Sequence, residues 1–157
     1  MATLTADALL RMPHLTFPLS SDGMIVEAVF GLHGPKTAEL VQAGQPVPSP
    51  IQVRALLDNG SDTTAIASSI VQKLGLEVMI PASSQTASGK VEVNLYRVSL
   101  SISGPAGGIG PVLVISDLVV SELTALLPNI DALIGMDVFR ECLLILNGPA
   151  QQFILGF

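Results

Sequence analysis

The sequence has no tryptophan, one tyrosine and one cysteine, and only seven lysines and arginines in 157 residues. Aromatic residues at 4% are too few for a base-stacking platform, and 7 cations against 13 carboxylates leave a net charge of -6. No basic patch is available to neutralise phosphates, so nucleic acid is excluded as an expected partner. The single Cys142 permits no intrachain disulfide and suits a reducing compartment. Its expected role is that of a small buried hydrophobe, because neither His14 nor His33 stands in any sequence relation to it. The two histidines form no metal-ligand pattern, so no metal is expected.

Long uncharged apolar runs are missing too. The richest stretch, residues 112–135, is broken by Asp117, Glu122, Pro128 and Asp131, which leaves no span of about 18 residues fit to cross a bilayer. Residues 1–13 carry Asp7 and Arg11 around short apolar pairs, without the basic start and apolar run of a signal peptide. The expectation is a cytoplasmic protein with no membrane partner. Gly107-Gly108-Ile109-Gly110 has no lysine and leads into a β-branched run, so it reads as a plain loop and not a phosphate cradle.

What the sequence does have is apolar mass: 49% of residues are hydrophobic and 13% charged, about half the usual charge density. That builds one core, and the length predicts a single domain over 1–157. Short β-branched runs separated by Gly, Pro and Ser predict an all-β fold. Residues 14–19 and 24–30 read as strands of a hairpin around Ser21-Asp22-Gly23. Residues 31–50, rich in Pro and Gly, read as a surface insertion. Strands are expected at 51–57, 78–80, 91–95, 96–102, 112–115 and 132–135, with 81–90 a polar link. Ile66, Ile70, Val71 and Leu74 fall on one helical face with Gly75 as the stop, and a helical turn is expected at 137–142. Residues 143–146 and 152–155 close the chain as a hairpin.

The stretch richest in chemistry is Leu56-Leu57-Asp58-Asn59-Gly60-Ser61-Asp62-Thr63-Thr64. Asn-Gly is a common hairpin dipeptide, yet a hairpin requires a strand on its far side, and the following residues have helical spacing. An acid ending a buried strand, then a Gly that lets backbone approach a ligand, then hydroxyl residues, is how a reactive carboxylate is presented. A second signal, Leu133-Ile134-Gly135, is likewise followed by a helical pattern.

Together these resemble the retropepsin-like aspartic peptidases, which carry apolar-apolar-Asp-Thr/Ser-Gly-Ala/Ser early and apolar-Ile-Leu/Ile-Gly followed by Arg-Asn/Asp late. Tyr96-Arg97-Val98-Ser99-Leu100-Ser101-Ile102 and Ile109-Gly110-Pro111-Val112-Leu113-Val114 stand where the family has mid-chain strands, and Gly135-Met136-Asp137-Val138-Phe139 where its helix starts. Asn147-Gly148-Pro149-Ala150-Gln151-Gln152-Phe153 looks like bacterial members. The resemblance implies a closed, barrel-like β fold with one or two short helices and the active site on a homodimer axis. It implies an endopeptidase that needs no cofactor, with Asp58 catalytic, Asn59, Gly60 and Ser61 in the active-site loop, and a peptide or protein substrate.

Two close carboxylates suit such chemistry because like charges cannot both ionise, so the pair shares a proton; one gives it while the other takes one from water. This chain supplies one such carboxylate, so a symmetric homodimer is expected, with residues 153–157 as an interface strand. The flap that closes over substrate in this family falls on residues 83–90, with Ser88 and Gly89 contacting peptide. Two positions depart from the pattern: Asn59 replaces Thr or Ser, and Met136 replaces the Arg that would pair with Asp62. Asp62 then has two readings, substrate contact or an acid at a helix N-terminus. The alternative function is a weakly active or inactive dimerisation or peptide-binding module on the same fold.

Overall fold

A computed structural model of the chain describes residues 11–86, 89–105, 109–123 and 127–157. Among the described residues, ten strands divide between two sheets. The larger contains β2 (Ile25–Leu32), β3 (Ile51–Leu57), β4 (Ala65–Ile66), β5 (Ile80–Thr86), β6 (Gly89–Ser103), β7 (Val112–Glu122) and β8 (Ala132–Ile134). Their order is β2-β3-β8-β4-β7-β6-β5, and β2 also pairs with β6, so six strands close on themselves while β5 extends outward from β6. The length of β6 makes this possible. Its first half pairs with β5 from Gly89 to Leu95, and its second half pairs with β2 from Val98 to Ile102.

Alternation fills the barrel. Val26, Ala28 and Phe30 of β2, Val53, Ala55 and Leu57 of β3, and Val98, Leu100 and Ile102 of β6 are all buried, at the period of two that puts side chains on one face. Two pairings are parallel, β3 with β8 and β4 with β7, whereas β4 and β8 run antiparallel. β4 is only two residues long, and both are buried. The second sheet has order β1-β10-β9, with β1 (His14–Pro18), β9 (Leu143–Asn147) and β10 (Gln152–Gly156). Phe17 and Phe153 face each other in its register and stack at 5.1 Å, and both join the common core.

Helix α2 (Ser68–Leu74) buries Ile70 and Leu74 and ends at Gly75 with φ 61, the left-handed stop that a glycine adopts without strain. Helix α3 (Met136–Phe139) follows β8. A third helix, α1 (Gly34–Gln42), lies in the Pro- and Gly-rich stretch, where no helix was expected; it has Pro in its first turn and no buried residue. None of these helices is long and apolar enough to cross a membrane.

Three expectations are corrected. β1 and β2 do not form a hairpin: the turn between Ser20 and Gly23 exists, but β1 leaves for β10. Turn chemistry sets a reversal and not a partner, and Phe153 offers Phe17 a buried face. Residues 81–86 and 89–90, read as a polar link, belong to β5 and β6, which pair from Ile80↔Leu95 to Thr86↔Gly89 where the flap was expected. Finally, β10 has β1 on one edge and β9 on the other, so residues 153–157 offer no free edge to a partner strand.

Candidate active site

β3 and β8 lie side by side and parallel, with Leu57 opposite Ile134, so their C-terminal ends emerge together. Asp58 follows β3, and its N–H donates to the Ile134 carbonyl at 2.9 Å, extending the ladder by one bond. The chain then turns sharply. The Gly60 N–H donates to Asp58 Oδ1 at 2.9 Å, and the Ser61 N–H donates to the Asp58 carbonyl at 3.2 Å. Asp58 is partly exposed and Asn59 and Gly60 exposed, so the carboxylate stands at the rim of the barrel with one oxygen held by backbone.

The loop is fixed from below. The Met136 N–H donates to the Ser61 carbonyl at 2.8 Å, and Ser61 Oγ donates to the Thr63 carbonyl at 2.8 Å. Gly135 passes so close that a Cβ there would meet the Thr63 carbonyl carbon at 2.6 Å and the Ser61 oxygen at 2.9 Å. Those are backbone atoms that cannot swing aside, so only glycine fits this crossing.

Thr64, with 0% exposure, joins the two segments. Its hydroxyl donates to Asp137 Oδ1 at 2.8 Å and accepts the Gly135 N–H at 3.2 Å, while its own N–H donates to Asp137 Oδ2 at 2.8 Å. Asp137 Oδ1 accepts the Val138 N–H as well, at 2.9 Å. Asp137 is thus the acid of the first turn of α3, and its two oxygens are taken up by three donors. The helix-end role offered for Asp62 belongs to Asp137 instead: α2 starts at Ser68 with no acid in its first turn, and Asp62 is an exposed loop residue. Among the described residues Asp62 makes no ion pair.

The structure therefore gathers Asp58, Asn59, Gly60 and Ser61 in one turn. Of the expected flap contacts, Gly89 opens β6 opposite Thr86, and Ser88 lies outside the described residues, as do Gly107 and Gly108. Cys142 is half-buried against the core; burial, and then the neighbouring Glu141 charge, push its thiol above the usual range, which suits a packing role. The sequence reading missed the Thr64–Asp137 brace, although an acid two residues after a glycine at a helix start was a usable signal.

The sequence profile described as aspartyl protease matches residues 44–138, more than half of the chain. The chain belongs to the aspartyl protease family. Its matched region runs from before β3 into α3 and contains every residue of the Asp58 loop and its brace. Among solved structures, a retropepsin-like aspartic protease from Rickettsia conorii matches with a TM-score of 0.56 at 13% identity, over 94% of this chain and 93% of its own. This aspartyl protease family member thus has the retropepsin-like fold. A comparison with curated proteins finds no significant match.

Proposed function

We propose that the protein is an aspartic endopeptidase in which Asp58 from each of two copies forms the reacting pair. One observation carries the reading: of the two strand ends that emerge together, one presents Asp58 partly exposed, while the acid beyond the other, Asp137, is saturated by Thr64 and Val138. Asp137 is in no position to serve as the second acid. A second copy related by a twofold axis supplies an identical Asp58.

In the reaction, one carboxylate of the pair is ionised and takes a proton from water as that water attacks the peptide carbonyl carbon. The other, still protonated, hydrogen-bonds to the carbonyl oxygen and stabilises its developing charge. The Gly60 N–H on Asp58 Oδ1 orients the carboxyl group. Collapse of the tetrahedral species passes a proton to the leaving nitrogen and restores the shared proton. The β5–β6 pair, which Gly89 opens on the β6 side, serves as the flap over an extended peptide, and Asp62 faces the substrate.

The test is turnover of an unstructured peptide library by the parent and by Asp58→Asn. The amide cannot exchange protons, so turnover should fall by roughly a hundred- to ten-thousandfold with the fold intact. Equal turnover by the variant would overturn the proposal, and no turnover by either protein would favour the inactive-module alternative.

A further inference from the structure

Four asparagines occur in the sequence, and two of them, Asn59 and Asn147, precede a glycine. The backbone nitrogen after an asparagine can attack the side-chain amide, and a glycine there has no Cβ to shield that nitrogen. Asn94 and Asn129 precede Leu95 and Ile130, whose side chains do shield it.

The two Asn-Gly pairs sit in different settings. Asn147 ends β9 with its carboxamide in use: Oδ1 accepts the Ala150 N–H at 3.1 Å, and the residue is in register with Gln152 of β10. Asn59 lies in the turn after β3, exposed, and among the described residues its carboxamide has no partner in its own chain. The nitrogen placed to attack it is that of Gly60, whose N–H donates to Asp58 Oδ1 at 2.9 Å. A carboxylate thus stands in position to take that proton. A Cβ on Gly60 would lie 3.2 Å from the same oxygen, closer than ordinary contact, so glycine is also what lets the carboxylate approach.

We propose that Asn59 is a self-modification site, at which the loop converts its own asparagine into aspartate and isoaspartate with Asp58 as the base. The Gly60 nitrogen gives its proton to Asp58 and bonds to Asn59 Cγ, closing a five-membered succinimide. The Cγ–Nδ2 bond breaks, Asp58 returns the proton to the departing nitrogen, and ammonia leaves. Water then opens the ring at either carbonyl carbon. Cleavage of the new N–Cγ bond gives aspartate, and cleavage of the original bond to the Gly60 nitrogen gives isoaspartate. Either product sets a second carboxylate beside Asp58, and isoaspartate adds a carbon to the main chain, which shifts the Gly60 N–H relative to Asp58 Oδ1. This chemistry needs neither a second copy nor a peptide substrate, so it is tested apart from the proposed function.

The experiment is to warm the parent at neutral pH and follow amide loss at each asparagine by peptide mapping and mass spectrometry, with isoaspartate scored by an isoaspartyl methyltransferase. Asn59 should react well ahead of Asn147 and yield isoaspartate, which direct hydrolysis of the amide by water does not form. In urea, where the turn is gone, the two sites should react at like rates. Asp58→Asn keeps an acceptor for the Gly60 N–H but cannot take its proton, so loss at Asn59 should slow on the order of a hundredfold, with fragment masses separating positions 58 and 59. If Asp58→Asn fails to fold, the comparison of native with urea-unfolded parent decides alone. Asn59 no faster than Asn147 in the native protein, a lead for Asn59 that persists unchanged in urea, aspartate without isoaspartate, or a folded Asp58→Asn that reacts as fast as the parent would overturn the proposal.

Discussion

Asn59 is the residue at which this chain departs furthest from the pattern it otherwise follows. Its side chain is exposed and, among the described residues, has no hydrogen-bond partner in its own chain, although it adjoins the carboxylate on which the proposed chemistry rests. A carboxamide both donates and accepts, so across a twofold axis it can reach a partner's backbone; it is longer and flatter than a Thr hydroxyl and grips less closely. Positioning errors of about 1 Å cost on the order of a hundredfold in rate. Asn59→Thr should therefore raise turnover and tighten the dimer with little change in substrate preference, and Asn59→Ala should lose both. Turnover and dimer dissociation measured side by side for parent and variants check this; if both variants match the parent, Asn59 has no gripping role.

Among the elements, the pairing of the Asp58 loop with the β8–α3 corner sets the site, and Thr64 and Asp137 are its fasteners. Thr64→Val keeps the shape of the side chain but removes the donor to Asp137 and the acceptor for the Gly135 N–H. With those groups buried, the loss should be about 1–3 kcal/mol. Asp137→Ala should cost more, because the N–H groups of Thr64 and Val138 both lose their acceptor. Asp62→Asn, at an exposed position without a partner, should stay within about 0.5 kcal/mol of the parent. Denaturant unfolding of the three variants ranks them, and an Asp62 effect as large as that of Thr64 would contradict this assignment.

How far these elements can be read from sequence follows from what each depends on. β3, α2 and the β9–β10 hairpin are legible because their signals are local: alternation into Leu57, a helical face ended by Gly75, and turn residues between two apolar runs. Asp58 at the end of β3 is legible for the same reason. The partner of β1 is not, since it lies at the other end of the chain, and the β5–β6 pair is reached only through the family resemblance that puts a flap on residues 83–90, because its polar sequence carries no burial signal. The brace joins residues 73 positions apart and leaves in the sequence only an acid after a glycine. α1 was hidden because Pro and Gly count as breakers, whereas Pro in a first turn is compatible with a helix.

At the scale of the whole molecule, the proposed function gives each chain half an active site and makes activity a property of the assembly. In the proposed mechanism one Asp58 of the pair takes a proton while the other gives one. Turnover should fall on the acid side when both are protonated, because none can take a proton from water. It should fall on the alkaline side when both are ionised, because none can protonate the carbonyl. A bell in the pH profile of turnover is the expected outcome, and a single-limbed profile would speak for one carboxylate acting alone. Since the bell reports pairing without saying where the second carboxylate comes from, the origin of that group needs its own measurement.

That measurement is turnover in mixtures of parent and Asp58→Asn at fixed total concentration, after exchange of subunits. If both copies must supply Asp58, only parent–parent dimers work, and activity follows the square of the parent fraction, reaching about a quarter at an equal mixture. Activity that instead falls in direct proportion to the parent fraction, to about half in the equal mixture, would mean that a single chain carries a complete site and would contradict the account.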